Sequence, residues 1–295
     1  MNLSRRDFLG CIPAGAVLSA TWPRTADAAA PGPRFGCQTN AWPLKPGDFP
    51  QLLDVLGTIK SLGFEGFETS FRNVQGQYAT AADAKARIAQ SGLAFFGVHV
   101  FLNEYDPRTR IAPADLLRAT ADGAAALGAQ RVILSGGGLA RDGAVAPADL
   151  ERKVAALNDA ATYCRDRGLA FAYHNHGPEF DAGGAEINGL ISGTDPRLVS
   201  FLVDCGHAYR ARVDLAAFFT AHRARISGLH LRDFKGDPQV PLGQGEVNWA
   251  PLAKAVLSAR WEGWILAEEE RADGSKPAAS AAGPARETMR TLFGR

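Results

Sequence analysis

The feature that most constrains the fold of this 295-residue chain is an eightfold alternation of short apolar segments with longer amphipathic ones. The apolar segments have the length of strands and cover Phe35–Thr39, Gly66–Thr69, Ala94–Val100, Arg131–Leu134, Ala170–Tyr173, Val199–Val203, Ile226–Leu231 and Trp264–Ala267. The amphipathic segments predict helices at about 48–62, 80–91, 113–128, 147–167, 186–193, 213–223, 248–259 and 278–293. Eight strands alternating with eight helices favour a single-domain α/β fold, the (β/α)8 TIM barrel, over residues 31–295. A doubly wound open sheet is the competing layout, but the Gly-x-Gly-x-x-Gly turn of a dinucleotide fold is missing after the first strand.

The first 30 residues predict a targeting segment that does not belong to the barrel. Ser4–Leu9 (SRRDFL) matches the twin-arginine export pattern, an apolar run follows from Cys11 to Trp22, and Ala26–Ala28 forms a small-x-small cleavage site. The apolar run is too short to span a bilayer. We therefore predict a signal peptide and linker over 1–30, recognition by the twin-arginine export machinery, and a periplasmic or secreted location.

Charge and cysteine content exclude further classes. Lys plus Arg number 32 against 31 for Asp plus Glu, so no net field attracts nucleic acid. Cys37, Cys164 and Cys205 remain after the signal segment. An odd, widely spaced set is not a disulfide framework even in an oxidising compartment, so we predict buried structural thiols.

Polar residues lie where the predicted strands end. The most concentrated stretch is Leu169–Glu179 (LAFAYHNHGPE), in which an apolar run passes directly into ligating and proton-moving side chains. The polar residues at strand ends are Gln38, Asn40, Glu68, His99, His174, His176, Glu179, Asp204, His207, His230, Arg232, Asp233, Lys235 and Glu268–Glu270. In a (β/α)8 barrel these ends meet at the face where active sites are built. Five of the six histidines belong to this set, which we predict to line one cavity.

A cluster of this composition predicts a bound cation. Taken singly, a strand-end His can be a hydrogen-bonded structural residue, and an Asp there can cap the next helix. Converging carboxylates, however, repel one another and cost desolvation unless positive charge lies among them. A mixed oxygen and nitrogen donor set predicts one divalent metal ion, Mn²⁺ first, with Zn²⁺, Co²⁺ or Fe²⁺ as alternatives.

Several motifs of the chain occur together in one family of sugar enzymes. They are Gly66–Glu68 (GFE), Tyr173–His176 (YHNH), Asp204–His207 (DCGH), His230–Asp233 (HLRD), Leu242–Trp249 (LGQGEVNW) and Gly263–Glu268 (GWILAE). On these residues nearly all of the chain after the signal resembles the xylose isomerase-like TIM barrels grouped as sugar phosphate isomerases/epimerases. That group includes ketose 3-epimerases and inosose dehydratase.

The resemblance implies a metal held by residues of strands 5 to 8. Asp204, His230 and Glu268 match the family's ligands directly. Strand 5 departs from the pattern, because many relatives read Glu-Asn-His where this chain begins the motif with His174. Either His174 replaces the carboxylate as ligand, or Glu179 supplies it. The departure also removes one member of the glutamate pair with which epimerases pass a proton, which argues against simple ketose 3-epimerisation.

The resemblance also implies a chemistry. In the family the metal polarises a carbonyl and the adjacent hydroxyl of a sugar, and a positioned base removes the neighbouring proton. The candidate acids and bases are His176, His207 and Glu179. The candidate substrate-binding residues are Gln38, Glu68, His99, Arg232 and Lys235.

The predicted function is a divalent-metal-dependent isomerase or epimerase of a non-phosphorylated sugar or keto-sugar. An exported enzyme does not meet intracellular sugar phosphates, and the Gly-rich turn Ser135–Gly138 lacks the Lys-Ser/Thr of a phosphate loop. One alternative is a metal-dependent lyase or dehydratase acting on a keto-sugar or keto-glycoside. A non-catalytic periplasmic sugar-binding barrel is another. An endonuclease on abasic DNA shares the fold but needs more metal ligands and a basic face.

Overall fold

Eight parallel strands form a closed barrel in the computed structural model, which describes residues 32–270 and 278–294. The barrel strands are β1 (Arg34–Gln38), β2 (Gly66–Ser70), β3 (Ala94–Val100), β4 (Arg131–Ser135), β5 (Ala170–His174), β6 (Val199–Asp204), β7 (Ile226–Leu231) and β10 (Trp264–Ala267). Neighbours in the barrel follow chain order, and β10 closes the ring between β7 and β1. The predicted single (β/α)8 barrel is therefore confirmed. The predicted signal peptide lies outside the described residues.

Helices follow the barrel strands, as the amphipathic segments predicted. They are α1 (Phe49–Ser61), α2 (Phe71–Val74), α3 (Ala81–Gln90), α4 (Ala114–Leu127), α5 (Pro147–Arg165), α6 (Asp181–Gly193), α7 (Cys205–Arg210), α8 (Leu215–His222), α9 (Ala250–Ser258) and α10 (Ala279–Phe293). The short α2 and α7 and the antiparallel hairpin of β8 (Asp233–Phe234) and β9 (Gln239–Val240) were not predicted. They are too short to show a hydrophobic period.

Two apolar layers hold the barrel together. Its interior is filled by Phe96, Ile133, Ala172, Leu202, Trp264 and Leu266. A larger cluster packs the outer faces of the strands against the helices, and α1 contributes Leu52, Val55, Leu56 and Ile59 at helical spacing. The interior layer fills the barrel below its carboxyl end, so the polar side chains at that end pack against apolar residues.

Bulges in two strands determine which side chains face the interior. Phe96 is an extra residue in β3, and Ser227 is an extra residue in β7. Strand residues alternate between faces, so residues three apart normally face opposite sides. Phe96 and His99 nevertheless both face the interior. Likewise Ile226 packs in the outer cluster, whereas His230, four residues later, faces inward. Each bulge therefore turns a histidine into the barrel.

The three described cysteines are buried and free, as predicted. Burial raises the pKa values of Cys37, Cys164 and Cys205, which suits inert structural thiols. Among the described helices, none combines the length and the apolar character needed to cross a bilayer.

Candidate metal centre and active site

One buried polar side chain from each barrel strand lies at the carboxyl end. These residues, each no more than 5% exposed, are Gln38, Glu68, His99, Ser135, His174, Asp204, His230 and Glu268. They stand on the interior layer, because most of them follow an inward apolar or glycine residue by two positions. All but Ser135 were among the residues predicted to share one cavity.

Four of these side chains converge on one point. One ligand atom each from His174, Asp204, His230 and Glu268 lies within 4.8 Å of the others. The His174 Nε2 atom lies 3.7 Å from both Asp204 Oδ2 and Glu268 Oε2. The His230 Nδ1 atom lies 3.1 Å from His174 Nε2. Of the two strand-5 alternatives, the structure thus brings His174 into the group of four.

The group fits a divalent metal. Asp204 Oδ1 accepts a hydrogen bond from the His207 backbone N–H, while Oδ2 faces the group, is buried and makes no hydrogen bond, its charged neighbour being Arg232 Nε at 2.9 Å. A buried carboxylate oxygen that accepts no hydrogen bond keeps its lone pairs available for a cation. Two imidazole nitrogens and two carboxylate oxygens are a donor set for Mn²⁺, Zn²⁺, Fe²⁺ or Co²⁺. This buried cluster could therefore hold the predicted metal.

A continuous hydrogen-bonded chain links the outer nitrogens of the two histidines. His230 Nε2 lies 2.9 Å from Glu68 Oε2, and Glu68 Oε1 lies 2.7 Å from His99 Nδ1. His99 Nε2 lies 2.7 Å from Ser135 Oγ, which is 3.2 Å from His174 Nδ1. Glu68 can accept from both sides, from His230 Nε2–H and from His99 Nδ1–H. Ser135 Oγ–H then donates to His99 Nε2, and His174 Nδ1–H donates to Ser135 Oγ, so that both His174 Nε2 and His230 Nδ1 keep a free lone pair. Such partners orient metal-binding histidines.

Glu68 and His99, two residues predicted to bind substrate, are both part of this hydrogen-bonded chain. Both oxygens of Glu68 and both nitrogens of His99 are engaged in it. Burial raises the pKa of the Glu68 carboxyl, but His230 and His99 outweigh burial and lower it, so Glu68 is ionised. Ser135 was missed by sequence reasoning. Its signal was positional, because it ends β4 two residues after the inward-facing Ile133.

Arg232 neutralises the carboxylates of the group. Its Nε lies 2.9 Å from Asp204 Oδ2, and its Nη2 lies 2.7 Å from Glu268 Oε1. Its Nη1 lies 3.1 Å from Glu270, which is half-exposed. Arg232 was predicted to bind substrate, but in the structure its guanidinium contacts two candidate metal ligands, Asp204 and Glu268. Glu268 directs Oε1 to Arg232 and Oε2 to His230, so it can contact Arg232 and His230 at the same time.

The remaining predicted substrate residues, Gln38 and Lys235, are not among the four converging residues. Gln38 is buried, and its Oε1 accepts a hydrogen bond from the Asn40 backbone N–H. Lys235 is exposed in the turn of the β8–β9 hairpin. Of the tandem glutamates, Glu269 is buried and accepts the Leu242 backbone N–H.

The candidate bases His176 and His207 form the open side of the site. Their ring centroids lie 5.0 Å apart, and the His176 ring is 5.4 Å from that of His174. Burial lowers the pKa values of both, that of His207 to about 4. Both are therefore neutral near pH 7 and able to accept a proton. Phe101, 45% exposed, packs its ring edge-on against His176.

Glu179, the third candidate base, lies elsewhere. Its Oε1 accepts a hydrogen bond from Tyr173 Oη at 2.6 Å, and its Oε2 accepts the His176 backbone N–H at 3.0 Å. Tyr173 faces the outer cluster, since its neighbour His174 faces inward. Glu179 is thus held behind β5 and is not brought to the four converging residues.

Metal affinity is expected to rise by about tenfold per pH unit between roughly pH 6.5 and 8.5. Burial opposes protonation of His230, but Glu268 and Glu68 outweigh it and raise its pKa to about 10. Without metal His230 therefore carries a proton that must leave before Nδ1 can bind a cation, so falling pH weakens binding. Burial also raises the pKa of Asp204 to about 6, which steepens the loss below that pH. Competition with a chelator over this range measures the slope. A pH-independent affinity would contradict the ligand assignment of His230.

Fold and site together define a (β/α)8 barrel whose active-site end carries a candidate metal centre. The sequence profile of the family described as xylose isomerase-like TIM barrel matches residues 56–292. The chain belongs to this family.

Curated relatives are inosose dehydratases. The chain is 29% identical over 135 residues to that of Halalkalibacterium halodurans, which covers 39% of this chain and 44% of the relative. It is 28% identical over 141 residues to that of Geobacillus kaustophilus, covering 41% and 46%. The chain thus spans less than half of the length of these relatives.

Solved structures share the fold at low identity. A 3-keto-D-glucoside 4-epimerase from E. coli superposes with a TM-score of 0.67 at 16% identity, covering 89% of this chain and 100% of that one. An L-ribulose 3-epimerase gives a TM-score of 0.70 at 18% identity, covering 89% and 95%. These solved structures share the barrel fold with most of this chain.

Proposed function

We propose that the chain is a divalent-metal-dependent isomerase that moves a proton next to the carbonyl of a non-phosphorylated sugar or keto-sugar. The observation that carries the proposal is the convergence of His174, Asp204, His230 and Glu268 within 4.8 Å, beside two neutral histidines. Mn²⁺ is the proposed metal. The N-terminal export pattern supports the choice of a non-phosphorylated substrate, since it directs the chain out of the cytoplasm.

The residues around the four candidate ligands have different roles. When bound, a divalent metal acts as a Lewis acid on a carbonyl and its neighbouring hydroxyl and so acidifies the adjacent C–H. His176 or His207 accepts the proton at a ring nitrogen, because their lowered pKa values leave them neutral. Arg232 holds the carboxylates of Asp204 and Glu268 in place. The exposed ring of Phe101 gives the mouth an apolar wall beside His176.

The placement of the histidines favours isomerisation over epimerisation. His176 and His207 follow the adjacent strands β5 and β6 and so lie on one side of the site. Epimerisation delivers a proton to the opposite face of the carbon, whereas a one-sided pair returns it to a neighbouring atom of the same face. Glu68, the carboxylate of the β2 side, has both oxygens engaged with histidines.

Elimination is the second candidate function, and the same pair favours it. One imidazole can accept the C–H proton and, as the imidazolium so formed, give that proton to a leaving hydroxyl or glycosidic oxygen, directly or through its neighbour, 5.0 Å away between ring centroids. The curated relatives are named as inosose dehydratases, and a dehydratase performs this type of reaction.

The test is proton exchange in D₂O with the Mn²⁺-loaded protein and a panel of free sugars, keto-sugars and keto-glycosides. Isomerisation gives a product of unchanged formula with deuterium at the carbon that received the proton. Elimination gives loss of water or of an aglycone. If no member of the panel exchanges a carbon-bound proton or gives a new product while the metal is present, the proposal is wrong.

A further inference from the structure

A second buried polar network lies outside the barrel wall, between α5, α6 and the strands β4 and β5. Its centre is Lys153 of α5, whose side chain is fully buried. Lys153 Nζ donates to Glu186 Oε1 at 2.6 Å, to Tyr173 Oη at 2.7 Å and to the Gly137 carbonyl oxygen at 2.9 Å. All three ammonium protons are therefore used, which a buried charge requires.

The partners of Lys153 extend into the loops after two adjacent strands. Glu186 Oε2 accepts the backbone N–H of Leu139 at 2.6 Å in the loop after β4. In the loop after β5, Tyr173 Oη donates to Glu179 Oε1 at 2.6 Å, and Glu179 Oε2 accepts the backbone N–H of His176 at 3.0 Å. One cation thus joins two loops at the active-site end of the barrel.

This network explains the Gly-rich turn Ser135–Gly138. A Cβ on Gly136 would lie 2.7 Å from Tyr173 Oη and 3.0 Å from Lys153 Nζ. A Cβ on Gly138 would lie 2.6 Å from Pro178 Cβ, in the facing loop. The glycines therefore let the backbone approach the buried lysine and the neighbouring loop closely.

We infer that Lys153 is a positioning residue that holds the loops after β4 and β5 and thereby fixes His176, a role that rests on the function proposed above. Without its ammonium group, Glu186 is a buried carboxylate with no counterion, and Tyr173 loses its donor. The segment from His176 to Glu179 is then tied to the rest of the protein less firmly. Lys153 contacts none of the four candidate metal ligands, so metal binding is unaffected.

Two variants and one control separate this role from a general loss of structure. Lys153→Met removes the centre of the network. Tyr173→Phe breaks only the branch to Glu179 and leaves Lys153, Glu186 and Leu139 joined. The control is Arg152→Met, since the neighbouring Arg152 is exposed and pairs with Asp149 on its own helix. Amide hydrogen exchange at Leu139 and His176 reports the two branches directly, and metal content, kcat and KM are measured in parallel.

The inference predicts a pattern across the variants. In Lys153→Met both reporter amides exchange roughly tenfold faster or more, whereas in Tyr173→Phe only His176 does so. Both variants keep their metal, and kcat falls by up to about 10²-fold with little change in KM, because the base is displaced. The inference is overturned if both amides of Lys153→Met exchange at the rates found in Arg152→Met. It is also overturned if both amides exchange faster and kcat is unchanged. A wild-type protein inactive on every sugar disproves the proposed function, but the exchange pattern still decides whether Lys153 holds the loops.

Discussion

An Asp204→Asn variant is expected to purify without its divalent metal and to lose at least about 10³-fold in kcat. The substitution removes the charge of the Oδ2 atom that faces His174 and His230, and it leaves Arg232 with one fewer carboxylate. The fold should survive, because the Asn side-chain oxygen can still accept the His207 backbone N–H that caps α7. Elemental analysis of the purified variant and its turnover of the active sugar measure both effects.

Asp214→Asn is the matched control for this experiment. Asp214 caps α8 by accepting the Ala217 backbone N–H, as Asp204 caps α7, but it is exposed and belongs to no ligand group. It should keep both metal and activity. Full metal occupancy in Asp204→Asn would show that Asp204 is not a ligand.

An Asp233→Asn variant is expected to lower the free energy of unfolding by about 3 kcal/mol or more. The Asp233 carboxylate is buried and accepts five hydrogen bonds, from the backbone N–H groups of Phe234, Gly243, Gly245 and Val247 and from Trp249 Nε1. An amide nitrogen in place of either oxygen would face two or three of these donors without accepting from them. Urea unfolding followed by the tryptophan fluorescence measures the change.

Asp106→Asn is the control for the second experiment. Asp106 also accepts several hydrogen bonds, from the Arg108 and Thr109 backbone N–H groups and the Thr109 hydroxyl, but it is only half-buried. Water can replace what its substitution loses, so a change within about 1 kcal/mol is expected. Equal destabilisation by the two variants would show that burial of the Asp233 carboxylate is not the cause.

The barrel and the position of its candidate metal centre could be predicted because the strands leave a periodic trace in the sequence. Eight apolar runs marked the strands and the polar residues near their ends, whereas the choice of Asp204, His230 and Glu268 among those residues as metal ligands came from the family resemblance. Strand ends in a parallel barrel meet at one face, so sequence position alone implied spatial proximity.

The contacts of individual side chains could not be predicted in the same way. Glu179 follows His174 by five residues, and nothing in the sequence shows that it turns to Tyr173 on the outer side of β5. Lys153 occupies an amphipathic helix, where a lysine is ordinarily solvated. Its burial depends on Glu186, which is 33 residues away in the chain. Such long-range pairing has no local signal.

The extra residues in β3 and β7 give these two strands one residue more than regular pairing needs. Deleting Phe96 would place Phe95 directly before Gly97, opposite the consecutive residues Phe67 and Glu68, so the alternation would become regular and His99 would stay opposite Ser70. In the same way, loss of Ser227 would leave His230 opposite Asp204. In a barrel strand without an extra residue, a single-codon deletion would instead exchange the two faces of every residue between the deletion and the end of the strand. Among descendants of this gene, reading-frame-preserving deletions of one residue should therefore be less rare in β3 and β7 than in the other six barrel strands.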